Sequence, residues 1–326
     1  MRLGIIGTGF IAKEVIPHFK EWGIEAFALC STPRSYEKAQ ELARANGIDF
    51  VYSDYTAMLT EADIDTVYVA TPNHLHYVQT KQALLTGHHV IVEKPITSND
   101  HEAKELAVMA KEKGLLIFEA VTTLHMANFA KIREWLSRIG TVKVVTTNYS
   151  QYSRRYDAFK RGEVLPTFDP DKSGGALMDI NIYNLHYIIG LFGKPLRVRY
   201  LANVERGIDT SGIVTLDYGS FKAVAIGAKD CGAPTNNVIQ GTDGYIFQDT
   251  PAGRCEEVIL RMNDGTEERY DAAPSHRMEE EFKAFKRAID EKDTAFCDRL
   301  LVHSIKVSEV QTLARKDAGI VFPSDV

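Results

Sequence analysis

Cysteine is scarce in this 326-residue chain, and the four present, Cys30, Cys231, Cys255 and Cys297, stand far apart. There is no Cys-x-x-Cys pair and no histidine at zinc-ligand spacing, so neither a disulfide scaffold nor a metal site is expected. Four lone thiols read as small apolar residues in a reducing cytoplasm. Basic blocks are missing too: the net charge is −6 with lysine and arginine dispersed, which argues against nucleic acid as a partner. No apolar run approaches the length of a membrane span. The first residues already read as a strand rather than a signal peptide, and neither repeats nor low-complexity tracts occur. What remains is an ordinary soluble composition, 44% apolar and 25% charged, at a length that accommodates two domains with a core each.

The opening stretch carries the strongest signal. Leu3, Ile5 and Ile6 around Gly4 have the length and composition of a buried parallel strand. They run into Gly7-Thr8-Gly9-Phe10-Ile11-Ala12 and then a helical pattern from Lys13 to Trp22. Gly7 allows a tight turn off the strand, Gly9 lets the backbone approach a pyrophosphate, and the small Ala12 lets the helix pack on the strand. The helix's unpaired N–H groups and positive end then face the phosphates. A second strand, Glu25 to Cys30, ends where an acidic side chain usually binds the adenosine ribose. Here Cys30-Ser31-Thr32-Pro33-Arg34 stands instead. No acid repels a 2′-phosphate, and Ser31, Thr32 and Arg34 can donate hydrogen bonds to one, which favours NADP and leaves NAD possible. Arg34 read alone is equally a solvated charge at a helix start.

Helix Tyr36 to Asn46, strand Phe50 to Tyr52 and helix Asp54 to Thr60 follow by pattern. Strand Asp65 to Ala70 then ends in Thr71-Pro72-Asn73-His74-Leu75-His76. This order places Thr71, Pro72, Asn73 and His76 at the carboxyl edge of the sheet, where ligands bind in open α/β folds; Asn73 read alone is equally the cap of the following helix, and His74 reads as a helix-start residue. Strand His89 to Val92 delivers Glu93-Lys94-Pro95 to the same edge. Pro95 restricts the backbone of Lys94. A lysine half-buried beside a nicotinamide can exchange a proton with a substrate hydroxyl or carbonyl. A capped helix to Lys113 and a strand Leu115 to Phe118 complete the unit.

GTGFIA, ATPNHLH and VEKPI, in that order, resemble the Gfo/Idh/MocA oxidoreductase family. The similarity continues through Glu119-Ala120 and GGALMDINIYNLH. The resemblance implies an α/β fold: a Rossmann domain with a doubly wound parallel sheet over residues 1–120, then an α+β domain over 121–326. The second domain would carry a large, mostly antiparallel open sheet serving substrate binding and oligomerisation, as homodimer or homotetramer. It also makes Lys94 the catalytic residue beside the nicotinamide.

The second half fits that plan by its own pattern. Met126 to Arg138 is an amphipathic helix. Thr141 to Gln151, Leu196 to Val204, Gly212 to Tyr218, Phe221 to Lys229, Asn236 to Phe247 and Glu257 to Met262 are strand-like. Strands in succession without helices between them mean an antiparallel sheet. Helices end the chain, Ser275 to Glu291 and Arg299 to Arg315. The polar segment Tyr152 to Lys172, with Arg155 and Tyr156, reads as a long loop bordering a cleft or as a solvated one. Asp179, Tyr183 and His186 fall at i, i+4 and i+7 of a helix from Ala176 to Phe192, on one face. The Asp-x-x-x-Tyr pattern is similar to members of the glucose-fructose oxidoreductase and dihydrodiol dehydrogenase type. Inositol dehydrogenases have histidine where Tyr183 stands, which points away from inositol.

These readings converge on a cytoplasmic NAD(P)-dependent oxidoreductase acting on a sugar, polyol or related hydroxylated ring held between the nicotinamide and the Asp179 helix. Lys94 and Tyr183 are candidates for proton transfer, with Asp179 orienting the pair and His186 as an alternative. Gly7 to Ile11, Ser31, Thr32, Arg34, Thr71 to Asn73, His76, Glu93 and Lys94 are the candidate cofactor contacts. The alternative is a non-catalytic NAD(P)-binding sensor on the same fold.

Overall fold

The structure is a computed structural model that describes residues 1–272 and 274–326. The first third alternates strand and helix. Strands β1 (Arg2–Ile6), β2 (Glu25–Cys30), β3 (Phe50–Tyr52), β4 (Thr66–Val69), β5 (His89–Glu93) and β6 (Ile117–Ala120) are interleaved with helices α1 (Phe10–Val15), α2 (Tyr36–Asn46), α3 (Tyr55–Glu61), α4 (His76–Leu85) and α5 (Asp100–Lys113). Then come α6 (Ala127–Trp135), β7 (Val142–Ser150), α7 (Arg154–Lys160) and α8 (Ile182–Phe192). Strands β8 (Arg197–Glu205), β9 (Ile208–Asp217), β10 (Lys222–Ala228), β11 (Asn236–Gly241), β12 (Gly244–Gln248), β13 (Val258–Met262) and β14 (Glu267–Tyr270) precede α9 (Glu279–Glu291) and α10 (Thr294–Asp317).

The chain divides into two compact units, Met1–Ala120 with Glu281–Val302, and Val121–Glu280 with His303–Val326. In the first unit the six strands pair in parallel in the order β3-β2-β1-β4-β5-β6. Leu3, Ile5, Val67, Tyr68, Val69, Val90, Ile91 and Val92 are all fully buried, as expected of strands covered on both faces. The order reverses between β1 and β4, so the loops after these two strands flank the switch point where α/β sheets bind ligands. The helix expected from Lys13 to Trp22 is shorter than its pattern: α1 tightens into a 3₁₀ turn at Ile16–His18, where Pro17 supplies no N–H.

Residues 281–302, expected in the second domain, belong with the first. The apolar stripe of α9 explains this. Phe282 packs against Phe19 (centroids 5.1 Å apart) and Tyr68 (5.2 Å), and Phe285 stacks on Phe118 at 4.8 Å.

The second unit is built on an eight-stranded sheet, β14-β13-β12-β11-β7-β10-β9-β8. Its neighbours are antiparallel except β7 and β10, which run parallel. This departs from the expectation of simple succession because 71 residues of helix and hairpin separate those two strands and return the chain in the same direction. One face buries Val145, Val214, Leu216, Ala225, Ile239 and Leu260 under α6, α8 and α10. The segment read as a loop contains α7, capped by the Ser153 hydroxyl accepting from the Arg155 N–H; β14 carried too few apolar residues to be foreseen. No helix among the described residues is long and apolar enough to cross a membrane.

The C-terminal tail is locked onto α10. The fully buried Arg315 pairs with Asp325 (Nη1 to Oδ2, 2.6 Å; Nη2 to Oδ1, 3.1 Å), and its guanidinium lies 3.9 Å over the Phe322 ring. Removing one partner of such a pair strands a buried charge, at a cost of about 3 kcal/mol or more. Arg315 and the Phe322 N–H hold the Asp325 carboxyl below its ordinary 3.8 despite burial. A depressed carboxyl contributes stability above its unfolded pKa and loses it as pH falls through the folded value. Asp325→Asn should therefore lower the unfolding free energy by about 3 kcal/mol at pH 7. The gap to wild type should narrow below pH ~4, checked by urea melts across pH.

Candidate functional site

Gly7 leaves β1 with φ +115°, and a Cβ there would sit 2.3 Å from the Ala70 carbonyl oxygen. Only glycine fits, because the turns after β1 and β4 approach each other at the switch point. Gly9, by contrast, faces open space: the nearest atom to a Cβ would be 3.9 Å away. No side chain caps α1, Thr8 and Ile11 are part exposed, and the Phe10 ring is 78% exposed. A backbone cradle with uncapped N–H groups beside a glycine fits a dinucleotide pyrophosphate.

At the end of β2, Ser31 is buried and donates to the Thr32 carbonyl at 3.2 Å, while Thr32 and Arg34 are exposed. Arg34 makes no hydrogen bond or ion pair among the described residues, so its guanidinium is available to a ligand. After β4, Thr71 and Asn73 are half-buried and Pro72 exposed; the Thr71 hydroxyl donates to Gln79 Oε1 at 2.6 Å.

The lysine loop is the most constrained part of this edge. From Val90 to Asn99 every residue is buried except Lys94. Three buried side chains hold the loop around it. The Tyr68 hydroxyl donates to Glu93 Oε1 (2.6 Å), the His76 Nδ1 meets the Pro95 carbonyl (2.7 Å), and Glu119 Oε1 accepts from the Ile96 N–H (2.8 Å). Two candidate cofactor contacts thereby change role. His76 is fully buried with Nε2 on the Thr71 carbonyl at 2.8 Å, so it ties the lysine loop to the Thr71 loop instead of meeting a ligand. Glu93 is 8% exposed and braces Tyr68. Both residues reach the expected edge; what the sequence did not show is that their side chains turn inward. Tyr68 and Glu119, the other supports, were missed because each reads as an ordinary strand residue.

In the second unit the helix expected from Ala176 is not uniform: Leu177–Asn181 forms a π-helical turn that feeds α8. From Ser173 to Ile189 only Asp179 and Tyr183 keep part of their side chains exposed. Tyr183 packs near Tyr149 (6.0 Å) and against Gly253, where a Cβ would lie 2.6 Å from its ring. His186, expected on the same face, is fully buried, its Nδ1 2.9 Å from Nε2 of His303. A partner 117 residues away takes up Nδ1 inside the fold, and full burial keeps His186 from joining Asp179 and Tyr183 at the part-exposed face. Arg155 and Tyr156 are likewise engaged, with the Thr167 hydroxyl and Glu205 respectively, both at 2.6 Å.

Burial lowers the His76 pKa from its ordinary 6.5; the Pro95 and Thr71 carbonyls oppose this, and the Lys94 charge lowers it further. A histidine whose folded pKa is depressed binds fewer protons folded than unfolded, so its contribution is complete above about 6.5 and is lost as pH falls. In His76→Gln the slope of unfolding free energy between pH 6.5 and 5.5 should be shallower, by up to about 1.4 kcal/mol per pH unit. An unchanged slope in denaturant titrations would refute this.

Comparison with known proteins places these features in context. Residues 1–121 match the model of an oxidoreductase family with an NAD-binding Rossmann fold, and residues 129–247 match the GFO/IDH/MocA C-terminal domain. The chain is 36% identical to a scyllo-inositol 2-dehydrogenase (NADP(+)) of Bacillus subtilis, over 100% of this chain and 99% of that one. It is 30% identical to a D-xylose 1-dehydrogenase (NADP(+)) of Haloferax volcanii, over 92% of each. Among solved structures, a 3-ketoreductase from Actinomadura kijaniata, crystallised with NADP and TDP-benzene, aligns over 97% of both chains with a TM-score of 0.87 at 22% identity, a likeness of fold.

Proposed function

Since the chain belongs to the Gfo/Idh/MocA oxidoreductases, we propose that it is an NADP-dependent dehydrogenase or reductase of uncharged polyols or sugars. Lys94, the one side chain released from a buried, three-point-braced loop at the carboxyl end of β5, carries this reading. The relatives' names support NADP and a hydroxylated substrate. The likeness to a scyllo-inositol 2-dehydrogenase also keeps inositols among the candidate substrates, against the sequence expectation.

The Gly7–Ile11 turn holds the pyrophosphate, and Thr32 and Arg34 receive the 2′-phosphate. The cofactor, when bound, would supply the hydride chemistry, NADP+ as acceptor in oxidation and NADPH as donor in reduction. Lys94 takes the hydroxyl proton in the first direction and returns it in the second, which requires it neutral for the one and charged for the other. Asp179 and Tyr183, part exposed on an otherwise buried segment, are the second unit's candidates for binding substrate hydroxyls. The four free cysteines suit a reducing cytoplasm. The sheet face bearing Val144, Leu201 and Ile213, each more than a third exposed, suits packing against a second copy, as dimer or tetramer.

Lys94→Ala should keep NADP affinity and lose about 10²- to 10⁴-fold in kcat/KM with scyllo-inositol, or with whichever polyol or sugar turns over best. Near-wild-type turnover would remove the role given to Lys94. Arg34→Ala should weaken NADP binding by about 10- to 100-fold, the worth of a charge-assisted contact, and leave NAD binding nearly unchanged. Equal losses for the two cofactors in fluorescence titrations would place Arg34 away from the 2′-phosphate.

A further inference from the structure

Lys229 stands one residue beyond β10, about a tenth of its side chain exposed, and its ammonium donates a charged hydrogen bond to Asp179 Oδ2. Lysines are almost never this buried without a partner, and both members of the pair are fixed by backbone. The Lys229 N–H donates to the Thr210 carbonyl and its carbonyl accepts from the Ser153 N–H, each at 2.9 Å. On the other side, the Asn181 side chain donates to the Ala225 carbonyl (3.1 Å) and Asn184 to that of Ile226 (2.9 Å). Gly227 completes the approach, since a Cβ there would lie 2.5 Å from the Asn181 Cβ. The π-helical turn therefore rests directly on β10. A side chain leaving that strand at position 229 meets the carboxylate at 179.

Resting on the function proposed above, we infer that Lys229 is a positioning and specificity residue for the polyol. It holds the Asp179 carboxylate as an acceptor for one substrate hydroxyl and offers a remaining N–H to the oxygen beside it. About a third of the Asp179 side chain and a tenth of the Lys229 side chain stay exposed, so a ligand reaches both a carboxylate with about four acceptor sites and an ammonium with three donors. Donor and acceptor side by side match a vicinal diol, whose adjacent hydroxyls each give and take a hydrogen bond. The ion pair carries no net charge, so the ligand class is a neutral polyhydroxylated ring or chain rather than a sugar acid or amine.

The test uses the full chain loaded with NADPH and titrated calorimetrically with scyllo-inositol and other neutral polyols; cofactor and substrate are then both reduced, so binding is read without turnover. Lys229→Met should weaken polyol binding at least tenfold, as should Asp179→Asn, with NADPH affinity unchanged in both. The double variant should bind no worse than the weaker single one, because Lys229 acts mainly through Asp179. In turnover, KM of Lys229→Met should rise by the same factor as its polyol Kd, while kcat falls less there than in Asp179→Asn. Wild-type polyol affinity in Lys229→Met, or losses that multiply in the double variant, would overturn the inference. So would collapse of folding or of NADPH binding in both Lys229→Met and Lys229→Gln, which would make the lysine structural. Should the wild-type protein bind no polyol or sugar at all, the proposed function itself fails, a result distinct from any of these.

Discussion

Burial of the parallel sheet on both faces is the constraint from which the first unit's chemistry follows. A strand such as β5, with Val90, Ile91 and Val92 fully buried, has no solvent face on which to carry a polar group. Chemistry is confined to strand ends, where the backbone turns away from its neighbours. The loop after β5 is itself buried, and its polar groups must then be satisfied internally. Tyr68, His76 and Glu119 do this from three different elements. Their combined effect is to leave Lys94 as the only side chain in the stretch with access to a ligand, on a base that has little freedom to move.

The second unit reaches a comparable result by different means. A helix lying on a sheet buries most of its surface, and the π-helical turn at Leu177–Asn181 comes so close to β10 that Gly227 is needed beneath it. π-bulges are frequent at functional sites because they re-aim side chains within an otherwise regular helix. Here the turn carries Asp179 to Lys229, and the following turn of α8 brings up Tyr183. Asp179 and Tyr183 are the two residues that remain part exposed between Ser173 and Ile189, a segment otherwise buried.

His76 shows how electrostatics follow from packing. Both ring nitrogens face carbonyl oxygens, an arrangement that a doubly protonated ring would satisfy, yet full burial and the Lys94 charge disfavour that form. The same burial that rigidifies the lysine loop thus makes it sensitive to acid. At the chain's other end, the Arg315–Asp325 pair is a tail anchor whose weakness lies at lower pH, where the carboxylate is protonated.

The residues determined the alternation of strand and helix over the first 120 positions, because continuous apolar runs, glycine turns and caps are local signals. β2, β3 and α2 fall where their patterns put them, and the GTGFIA, ATPNHLH and VEKPI stretches reached the same sheet edge because each follows a parallel strand. The sequence also placed Asp179 and Tyr183 together, since a spacing of four survives the π-helical turn. Only the tertiary structure decided which polar groups face inward. His76, Glu93 and His186 look like ligands in one dimension, but all three are buried, and Pro95, Tyr68 and His303 each take up one of their polar atoms. Lys229 reads as a strand-end charge until β10 is laid under the Asp179 turn, and residues 281–302 read as part of the second domain until Phe282 and Phe285 find the aromatic rings of the first. Periodicity records which face of an element is apolar; it carries no record of the distant partner that meets each polar group, and that pairing separates a ligand-binding side chain from a buried support.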